Sequence, residues 1–260
     1  MPTIVYLDTL PAQNGLDILY SQSKVEILKI SSSDSEEKCF SILQKADAYQ
    51  VGAARDEVPK YLQVDKEFLK KVPNIIVVSS SGAGYDTVDV EACTEAGVLV
   101  VNQTGGNAEG VAEHAVAMIL SLFKRIGEAD HALRRGWNDA RVSFIGKDLL
   151  NKTVGIIGLG NTGGRVAEIC KVAFNCNILA YDPYISDEIF EKKYSTKSEI
   201  DNLLTQSDVV SVHIPLNKET NNIIKKRWFQ KMKKGSYFIT TSRGSIHNED
   251  DLYEIMKEGH

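Results

Sequence analysis

The sequence predicts an α/β protein with two Rossmann-like, parallel-sheet domains, and three observations lead to that prediction. Short β-rich runs alternate with polar, helix-forming stretches along the chain, which is typical of a parallel sheet connected by helices. The strand runs are apolar at consecutive positions, as expected when helices cover both faces of a sheet. The same rhythm begins again at residue 153, after a long helical connector, which indicates a second domain.

The first domain is predicted to span residues 1–102. Its strand candidates are TIVYL, KVEILKI, ADAYQVGA, NIIVVSS and GVLVVNQ, in that order. Between them, charged stretches such as SEEKCFSILQKA and VDKEFLKKV predict the connecting helices. This succession predicts one parallel sheet with helices on its faces.

The second domain is predicted to span residues 103–260 and begins with the connector, NAEGVAEHAVAMILSLFKRIGEADHALRRGWN. An apolar stripe recurs along the connector at helical spacing, through Val111, Ala115, Met118, Ile119 and Leu122. Strands are then predicted at TVGIIGLG, NILAYDPY, DVVSVHIPL and GSYFITTSRG, with helices near 163–174, 197–206 and 225–232. The stripe predicts packing of the connector against a domain or against a second subunit.

Composition and charge exclude several classes of protein. The net charge of −5 argues against a general nucleic-acid binder, which needs a basic face. The four cysteines, Cys39, Cys93, Cys170 and Cys176, form no CxxC pair and no Cys/His spacing suited to a metal. They therefore predict buried thiols and no metal site. MPTIVYLDTL lacks the basic and long apolar regions of a signal peptide, so a cytoplasmic protein without membrane contact is expected.

The most informative stretch is TVGIIGLGNTGG, residues 153–164. Three spaced glycines alone are weak evidence, but here they follow a strand and open a helix. Gly158 suits the sharp turn, Gly160 permits close approach of a pyrophosphate to the backbone, and Gly163 allows the helix to pack tightly on the strand. The free N–H groups at the start of that helix attract an anion. The stretch predicts a dinucleotide-binding turn.

Asp182 supports that prediction because it stands nineteen residues beyond Gly163, at the end of the next strand. An acid at this place in such folds binds the adenosine ribose hydroxyls, and its charge repels a 2′-phosphate. NAD is therefore the expected cofactor, in preference to NADP. Two alternatives remain open from the residues alone: a turn without cofactor, and a Rossmann protein that handles methyl or sugar-nucleotide groups.

Together with these features, the order of four further motifs resembles the D-isomer-specific 2-hydroxyacid dehydrogenases, which include phosphoglycerate dehydrogenases and glyoxylate reductases. The first motif is the segment from SSSGAGYD to AVAMIL, residues 79–120. The other three are VGIIGLGNTGG, VHIPLNKETNNII and TTSRGS. The resemblance covers essentially the whole chain. It implies a flavodoxin-like substrate domain followed by an NAD-binding Rossmann domain, both incomplete at their C-terminal ends.

The resemblance also implies roles for individual residues. Arg243 is expected to bind the substrate carboxylate through a planar two-pronged hydrogen bond and to orient the carbonyl toward the nicotinamide. Backbone amides of Gly82, Ala83 and Gly84 are expected to form a nest for the same carboxylate. The residues expected at the cofactor are Gly158, Gly160, Asn161, Thr162, Gly163, Asp182, Ile214, Pro215, Thr241, Ser242 and Arg243. His213 is interpreted as a positioning or packing residue.

The expected activity is hydride transfer between NAD and a 2-oxo or D-2-hydroxy acid, by an enzyme that forms a homodimer. In the family, a histidine oriented by a glutamate handles the proton, and both follow the arginine. This sequence ends at His260, before those motifs, so truncation and impaired catalysis are expected. An alternative from another class is an NAD(H)-binding dimer that acts as a corepressor-like binding module.

Overall fold

Two units of structure make up the chain, Met1–Asn107 and Ala108–His260. A computed structural model describes residues 1–10, 13–137 and 141–260. Each unit contains one five-stranded sheet, and the strand pairs that the structure describes in both sheets are parallel. The predicted α/β class with two parallel sheets is therefore confirmed.

The first unit follows the predicted alternation of strands and helices. Its strands are β1 (Thr3–Leu7), β2 (Glu26–Ile30), β3 (Ala48–Val51), β4 (Val77–Ser80) and β5 (Leu99–Val101). Its helices are α1 (Gln13–Tyr20), α2 (Glu36–Leu43), α3 (Lys66–Lys71) and α4 (Val90–Glu95), with a 3₁₀ segment at Lys60–Leu62. The strand order β2-β1-β3-β4-β5 is that of flavodoxin-like folds.

Aromatic packing and helix caps stabilise this first unit. Phe68 on α3 stacks on Tyr49 of β3, with ring centroids 5.4 Å apart, and both side chains are buried. Asp65 begins α3, because its carboxylate accepts hydrogen bonds from the amides of Glu67 and Phe68. Asp89 caps α4 in the same way through the amide of Ala92. These caps satisfy helix N–H groups that would otherwise lack partners.

The second unit contains a longer series of elements. Its strands are β6 (Thr153–Ile157), β7 (Asn177–Tyr181), β8 (Thr196–Lys197), β9 (Val209–Val212) and β10 (Tyr237–Thr240). Its helices are α5 (Ala108–Lys124), α6 (Ile126–Arg134), α7 (Asn161–Phe174), α8 (Asp187–Lys192), α9 (Ile200–Gln206), α10 (Lys226–Lys231) and α11 (Glu249–Lys257). Two 3₁₀ segments lie at Arg141–Phe144 and Gly244–Ile246.

The connector is helical, but its buried stripe differs from the predicted one. A left-handed Arg125, with φ of 54°, separates α5 from α6. The residues of α5 that are buried are Ala112, Ala115, Val116, Ile119 and Phe123. Ala115 and Ile119 of the predicted stripe are thus correct, whereas Leu122 is 40% exposed. The interpretation failed there because Leu122 lies one position short of Phe123, which packs against Tyr237 of β10.

The helix predicted at 197–206 begins too early. Thr196 and Lys197 form β8, which pairs with Leu179 and Ala180 of β7, and α9 starts only at Ile200. A two-residue strand is too short to show an alternating pattern, so sequence periodicity could not detect it. The helix predicted at 163–174 begins two residues earlier, at Asn161.

The order of the second sheet, β10-β9-β6-β7-β8, places the first strand of the unit in its centre. The chain runs outward from β6 to β7 and β8, and then returns to the other side of β6 through β9. A crevice opens where the strand order reverses, at the carboxyl ends of β6 and β9, and ligands of open α/β sheets bind there. The residues after these two strands are therefore the first place to look for a site.

Candidate functional site

Two glycines at the connection from β6 to α7 leave no space for a side chain. Gly158 has φ of +90°, and a Cβ there would lie 2.7 Å from Cγ2 of Ile214 and 2.9 Å from the carbonyl oxygen of His213. A Cβ on Gly163 would lie 2.0 Å from the carbonyl oxygen of Gly158. The contacts of Gly158 join the turn to the end of β9, and those of Gly163 join the first turn of α7 to Gly158 and to Ile156 of β6. They supply the close helix-to-strand packing that the sequence predicted for Gly163.

Gly160 differs from these two glycines because nothing lies within 4 Å of the place where its Cβ would stand. It is the N-cap residue of α7 and has no side chain to bond the first amides of that helix. The first N–H groups of an α-helix lack intrahelical partners and carry a partial positive charge. Open space beside Gly160 therefore adjoins the amides of Asn161 and Thr162, an arrangement that accommodates a pyrophosphate.

Asp182 lies immediately after β7 and is fixed by two backbone amides. Its Oδ2 accepts a hydrogen bond of 2.9 Å from the amide of Leu159, and its Oδ1 accepts one of 3.0 Å from the amide of Tyr184. The structure thus brings the predicted ribose ligand to the glycine turn. A carboxylate retains further lone pairs beyond these two bonds, so Asp182 can also accept from ribose hydroxyls.

Lys193 contacts the same turn, and sequence reasoning missed it. Its Nζ donates hydrogen bonds of 2.7 Å to the carbonyl oxygen of Leu159 and 2.8 Å to that of Gly160. Lys193 is the C-cap residue of α8, thirty residues past Gly163 in a lysine-rich stretch. No sequence motif distinguishes it from the neighbouring lysines, so only the fold reveals this contact.

The carboxyl ends of β9 and β10 hold the remaining predicted cofactor residues of the second unit. Ile214 lies against Gly158, and the carbonyl oxygen of Pro215 accepts a hydrogen bond of 2.6 Å from Oγ1 of Thr220. Oγ of Ser242 donates to the carbonyl oxygen of Val212 over 3.1 Å. These bonds fix both strand ends at the same edge of the sheet as the glycine turn.

His213 links the two strand ends through its ring. Its Nε2 lies 2.8 Å from Oγ of Ser211, and its Nδ1 lies 3.4 Å from Oγ1 of Thr241. Burial lowers the pKa of His213 from 6.5 to about 4. The imidazole is therefore neutral at physiological pH, and its interpretation as a positioning or packing residue stays a prediction.

The pKa of His213 predicts a loss of stability in acid. Because the folded-state pKa lies below the ordinary value, the unfolded chain takes up a proton between pH 6.5 and 4 that the folded chain does not. The stabilisation is complete above pH 6.5, and its loss approaches about 3 kcal/mol as the pH falls to 4. The loss of stability is measured by urea unfolding of the wild type and of His213→Gln at pH 7.5 and 4.5.

In that experiment, the stability difference between the wild type and His213→Gln should shrink in acid. His114→Gln serves as the control because His114 is exposed on α5, and it should leave the pH dependence of the wild type unchanged. Equal losses of stability for the wild type and His213→Gln between the two pH values would show that His213 is not the titrating group.

Arg243 follows β10 and precedes the 3₁₀ segment at Gly244–Ile246. Its backbone is extended, with φ of −133° and ψ of 144°, and its Nη1 donates to the carbonyl oxygen of Ser242 over 3.2 Å. The residue as a whole is half-buried. The turn thus places Arg243 directly after Thr241 and Ser242, at the carboxyl edge of the sheet.

The Gly82–Gly84 loop belongs to the first unit, where it follows β4. Each of its three carbonyl oxygens accepts a hydrogen bond: Gly82 from the amide of Gln103, Ala83 from the side chain of Asn102, and Gly84 from the hydroxyl of Ser80. Fixing the carbonyls also fixes the amide planes, since the peptide group is planar. These bonds fix the planes of the peptide groups that carry the N–H groups of Ala83, Gly84 and Tyr85.

Two further properties concern the whole described chain. No group of three or more His, Cys, Asp or Glu side chains within residues 1–10, 13–137 and 141–260 is arranged to hold a metal ion. Over the same ranges, no helix has both the length and the apolar character that crossing a membrane requires.

Comparison with known proteins places this site in a family. Residues 116–260 match the sequence profile "D-isomer specific 2-hydroxyacid dehydrogenase, NAD binding domain". D-3-phosphoglycerate dehydrogenase of Archaeoglobus fulgidus is 41% identical over 212 residues, which cover 78% of this chain and 40% of the relative. The Bacillus subtilis D-3-phosphoglycerate dehydrogenase is 32% identical over 250 residues, covering 96% of this chain and 45% of that protein. The chain thus spans less than half the length of these relatives.

Solved structures show the same likeness. D-lactate dehydrogenase from Aquifex aeolicus, complexed with NAD and lactic acid, superposes with a TM-score of 0.82 at 29% identity, covering 98% of this chain and 74% of that one. An NAD-dependent formate dehydrogenase from Staphylococcus aureus, also in complex with NAD, superposes with a TM-score of 0.81 at 31% identity. The match covers 99% of this chain and 78% of the formate dehydrogenase chain. All four proteins are named as dehydrogenases, so the comparisons do not support the corepressor-like alternative. This chain belongs to the D-isomer-specific 2-hydroxyacid dehydrogenase family and carries that family's NAD-binding domain.

Proposed function

We propose that this chain acts as an NAD-dependent oxidoreductase that interconverts a 2-oxo acid and a D-2-hydroxy acid. The observation that carries the proposal is the glycine turn at 158–163 with Asp182 bonded to the amide of Leu159, at the switch point of the second sheet. The family membership supports it. Bound NAD supplies the hydride chemistry, and the residues of the chain bind, orient and shield the reactants.

The residues present fit that cofactor. The open space at Gly160 admits a pyrophosphate against the first amides of α7. Asp182 is held where it can accept from the adenosine ribose, and its negative charge disfavours the 2′-phosphate of NADP. Ile214 and Pro215 are proposed to contact the adenosine side of NAD. Thr241 and Ser242 are proposed to contact the nicotinamide ribose.

Arg243 is proposed to bind the substrate carboxylate. A guanidinium remains charged at any working pH and matches a carboxylate with two parallel hydrogen bonds, which fix the orientation of the substrate as well as its position. The amides of Gly82, Ala83 and Gly84 are proposed to bind the same carboxylate. Relatives that act on phosphoglycerate and lactate suggest 3-phosphohydroxypyruvate and pyruvate as the first oxo acids to test.

The direct test of activity is oxidation of NADH, followed by the loss of absorbance in the presence of a panel of small 2-oxo acids. We expect slow turnover with at least one member of the panel, in keeping with the impaired catalysis that the sequence predicts, and none with the matching L-hydroxy acid in the reverse direction. Tight NADH binding without turnover of any oxo acid would overturn the enzymatic proposal while leaving the cofactor site intact.

Substitution of Asp182 tests the preference for NAD. Asp182→Asn keeps an acceptor for the amide of Leu159 but removes the negative charge that opposes a 2′-phosphate. The ratio of the Kd for NADPH to that for NADH should fall about tenfold, as loss of one close like-charge contact allows. Asp187→Asn is the control, since it removes the same charge from exposed Asp187 at the start of α8. An unchanged ratio in Asp182→Asn would contradict the assignment.

The chain is further proposed to form a homodimer in a cytoplasmic, reducing environment. Apolar side chains are exposed along the connector helices, where Leu122 is 40%, Ile126 55% and Leu133 61% exposed, and such a face favours association. Four buried cysteines with free thiols agree with a reducing compartment. Sedimentation equilibrium should give twice the mass of the chain, and a monomer at micromolar concentration would contradict the dimer.

A further inference from the structure

We infer that Lys193 is a positioning residue for dinucleotide binding, and that it acts through the two peptide groups that begin α7. This inference rests on the proposed function, because it assigns a role within the same cofactor site. Its starting observation is the pair of hydrogen bonds from Nζ of Lys193 to the carbonyl oxygens of Leu159 and Gly160, at 2.7 and 2.8 Å.

Those two carbonyls belong to the peptide groups whose N–H ends are contributed by Gly160 and Asn161. In a trans peptide the C=O and N–H bonds point in opposite directions, so a cation held at the oxygens directs both N–H groups to the other side of the turn. An added Cβ on Gly160 would meet no atom within 4 Å apart from its chain neighbours, so the turn has open space at this residue. Lys193 therefore fixes the orientation of the amides that an anion would meet.

The ammonium also changes the electrostatics of these peptide groups. A positive charge at the oxygen end polarises each peptide unit and strengthens its N–H as a donor, as hydrogen bonds in chains reinforce one another. The charge itself lies close to the N-terminus of a 14-residue helix whose dipole already favours anions. Both effects should increase the affinity for a charged ligand group and should hardly change the affinity for a neutral nucleoside.

Packing shows that the lysine is held in place. An added Cβ on Gly164 would lie 2.8 Å from Cδ of Lys193 and 3.3 Å from its Nζ, so the aliphatic stem lies against the first turn of α7. Lys193 is itself the C-cap of α8, and the following Tyr194 adopts a left-handed φ of 59°. Opposite Lys193, Asp182 bonds the amide of Leu159. Leu159 is thus held at its N–H group by Asp182 and at its carbonyl oxygen by Lys193.

The test compares ligands of different charge on variants at two neighbouring lysines. Lys193→Met keeps the apolar stem and removes the ammonium, Lys193→Arg restores a cationic donor, and Lys192→Met removes a charge from the exposed neighbour. Calorimetry with NADH, ADP-ribose and adenosine measures each Kd. In Lys193→Met we expect NADH and ADP-ribose to weaken about tenfold, the size of one charge-assisted hydrogen bond, with adenosine unchanged.

Lys193→Arg should recover most of the lost affinity, and Lys192→Met should bind all three ligands like the wild type. A second readout is independent of ligand: amide exchange at Gly160 and Asn161, followed by NMR, should accelerate in Lys193→Met. Equal weakening of all three ligands, or unchanged ADP-ribose affinity with unchanged exchange, would overturn the role of Lys193 while the proposed function stands. A wild-type chain that binds neither NADH nor ADP-ribose would overturn both.

Discussion

Replacement of Gly163 by alanine should unfold the start of α7 and abolish NADH binding. The added Cβ would stand 2.0 Å from the carbonyl oxygen of Gly158, and no rotation of a side chain can relieve a contact between a Cβ and a backbone atom. Overpacking of this kind costs about 3 kcal/mol or more, because the helix must move off the strand. Urea unfolding measures the loss of stability, and calorimetry measures the loss of NADH binding.

Gly160→Ala is the matched control for that experiment. Its Cβ would meet no atom within 4 Å apart from its chain neighbours. Its φ is −71° but its ψ of −146° lies outside the α and β regions, so some stability should be lost, though less than in Gly163→Ala. NADH binding should nevertheless weaken, since the methyl group enters the space proposed for the pyrophosphate. If Gly163→Ala were as stable as Gly160→Ala, the close packing of α7 on β6 would be wrong.

Replacement of Arg243 by glutamine should reduce kcat/KM for the accepted oxo acid by two to three orders of magnitude. Removing one partner of a hydrogen-bonded charge pair costs about 2–5 kcal/mol, and the lost bonds hold the carboxylate whose orientation sets the geometry of hydride transfer. NADH binding should weaken far less than kcat/KM, because most of the contacts proposed for NADH are made by the start of α7 and by Asp182. Steady-state oxidation of NADH, with calorimetry of the same variant, separates the two effects.

Arg243→Lys tests whether geometry or charge matters at this position. Lysine keeps the charge but offers a point donor in place of the planar fork, so we expect an activity between those of the wild type and Arg243→Gln. Arg227→Gln removes an exposed guanidinium from α10 and should leave kcat/KM unchanged. Equal activity of the wild type and Arg243→Gln would exclude Arg243 from the substrate site.

The sequence predicted most central strands because their chemistry is local. β1, β6 and β9 are buried at almost every position, which produces the continuous apolar runs that identify a covered parallel strand. Edge strands were harder to predict from the sequence, because β5 is exposed at Leu99 and Val101 and β8 has only two residues. Such strands are defined by hydrogen bonds to a neighbour distant in sequence, which local periodicity cannot show.

In the candidate site, too, some residues could be predicted from a local sequence pattern and others depend on contacts between distant parts of the chain. The glycines and Asp182 were predictable because a tight turn and a ribose-binding acid leave a fixed spacing in the chain. Lys193 was not, since its contacts with Leu159 and Gly160 depend on the path of α8 back to the turn. The start of α7 was predicted near Gly163, the last glycine of the fingerprint, yet the helix begins at Asn161.

The most direct test of the account is titration of the wild-type chain with NADH and NADPH, followed by calorimetry. Amides at the start of α7 and the carboxylate of Asp182 predict saturable binding of one NADH per chain, with NADPH at least about tenfold weaker. A chain that is folded by circular dichroism but binds neither nucleotide at millimolar concentration would contradict the assignment of this turn as a dinucleotide site.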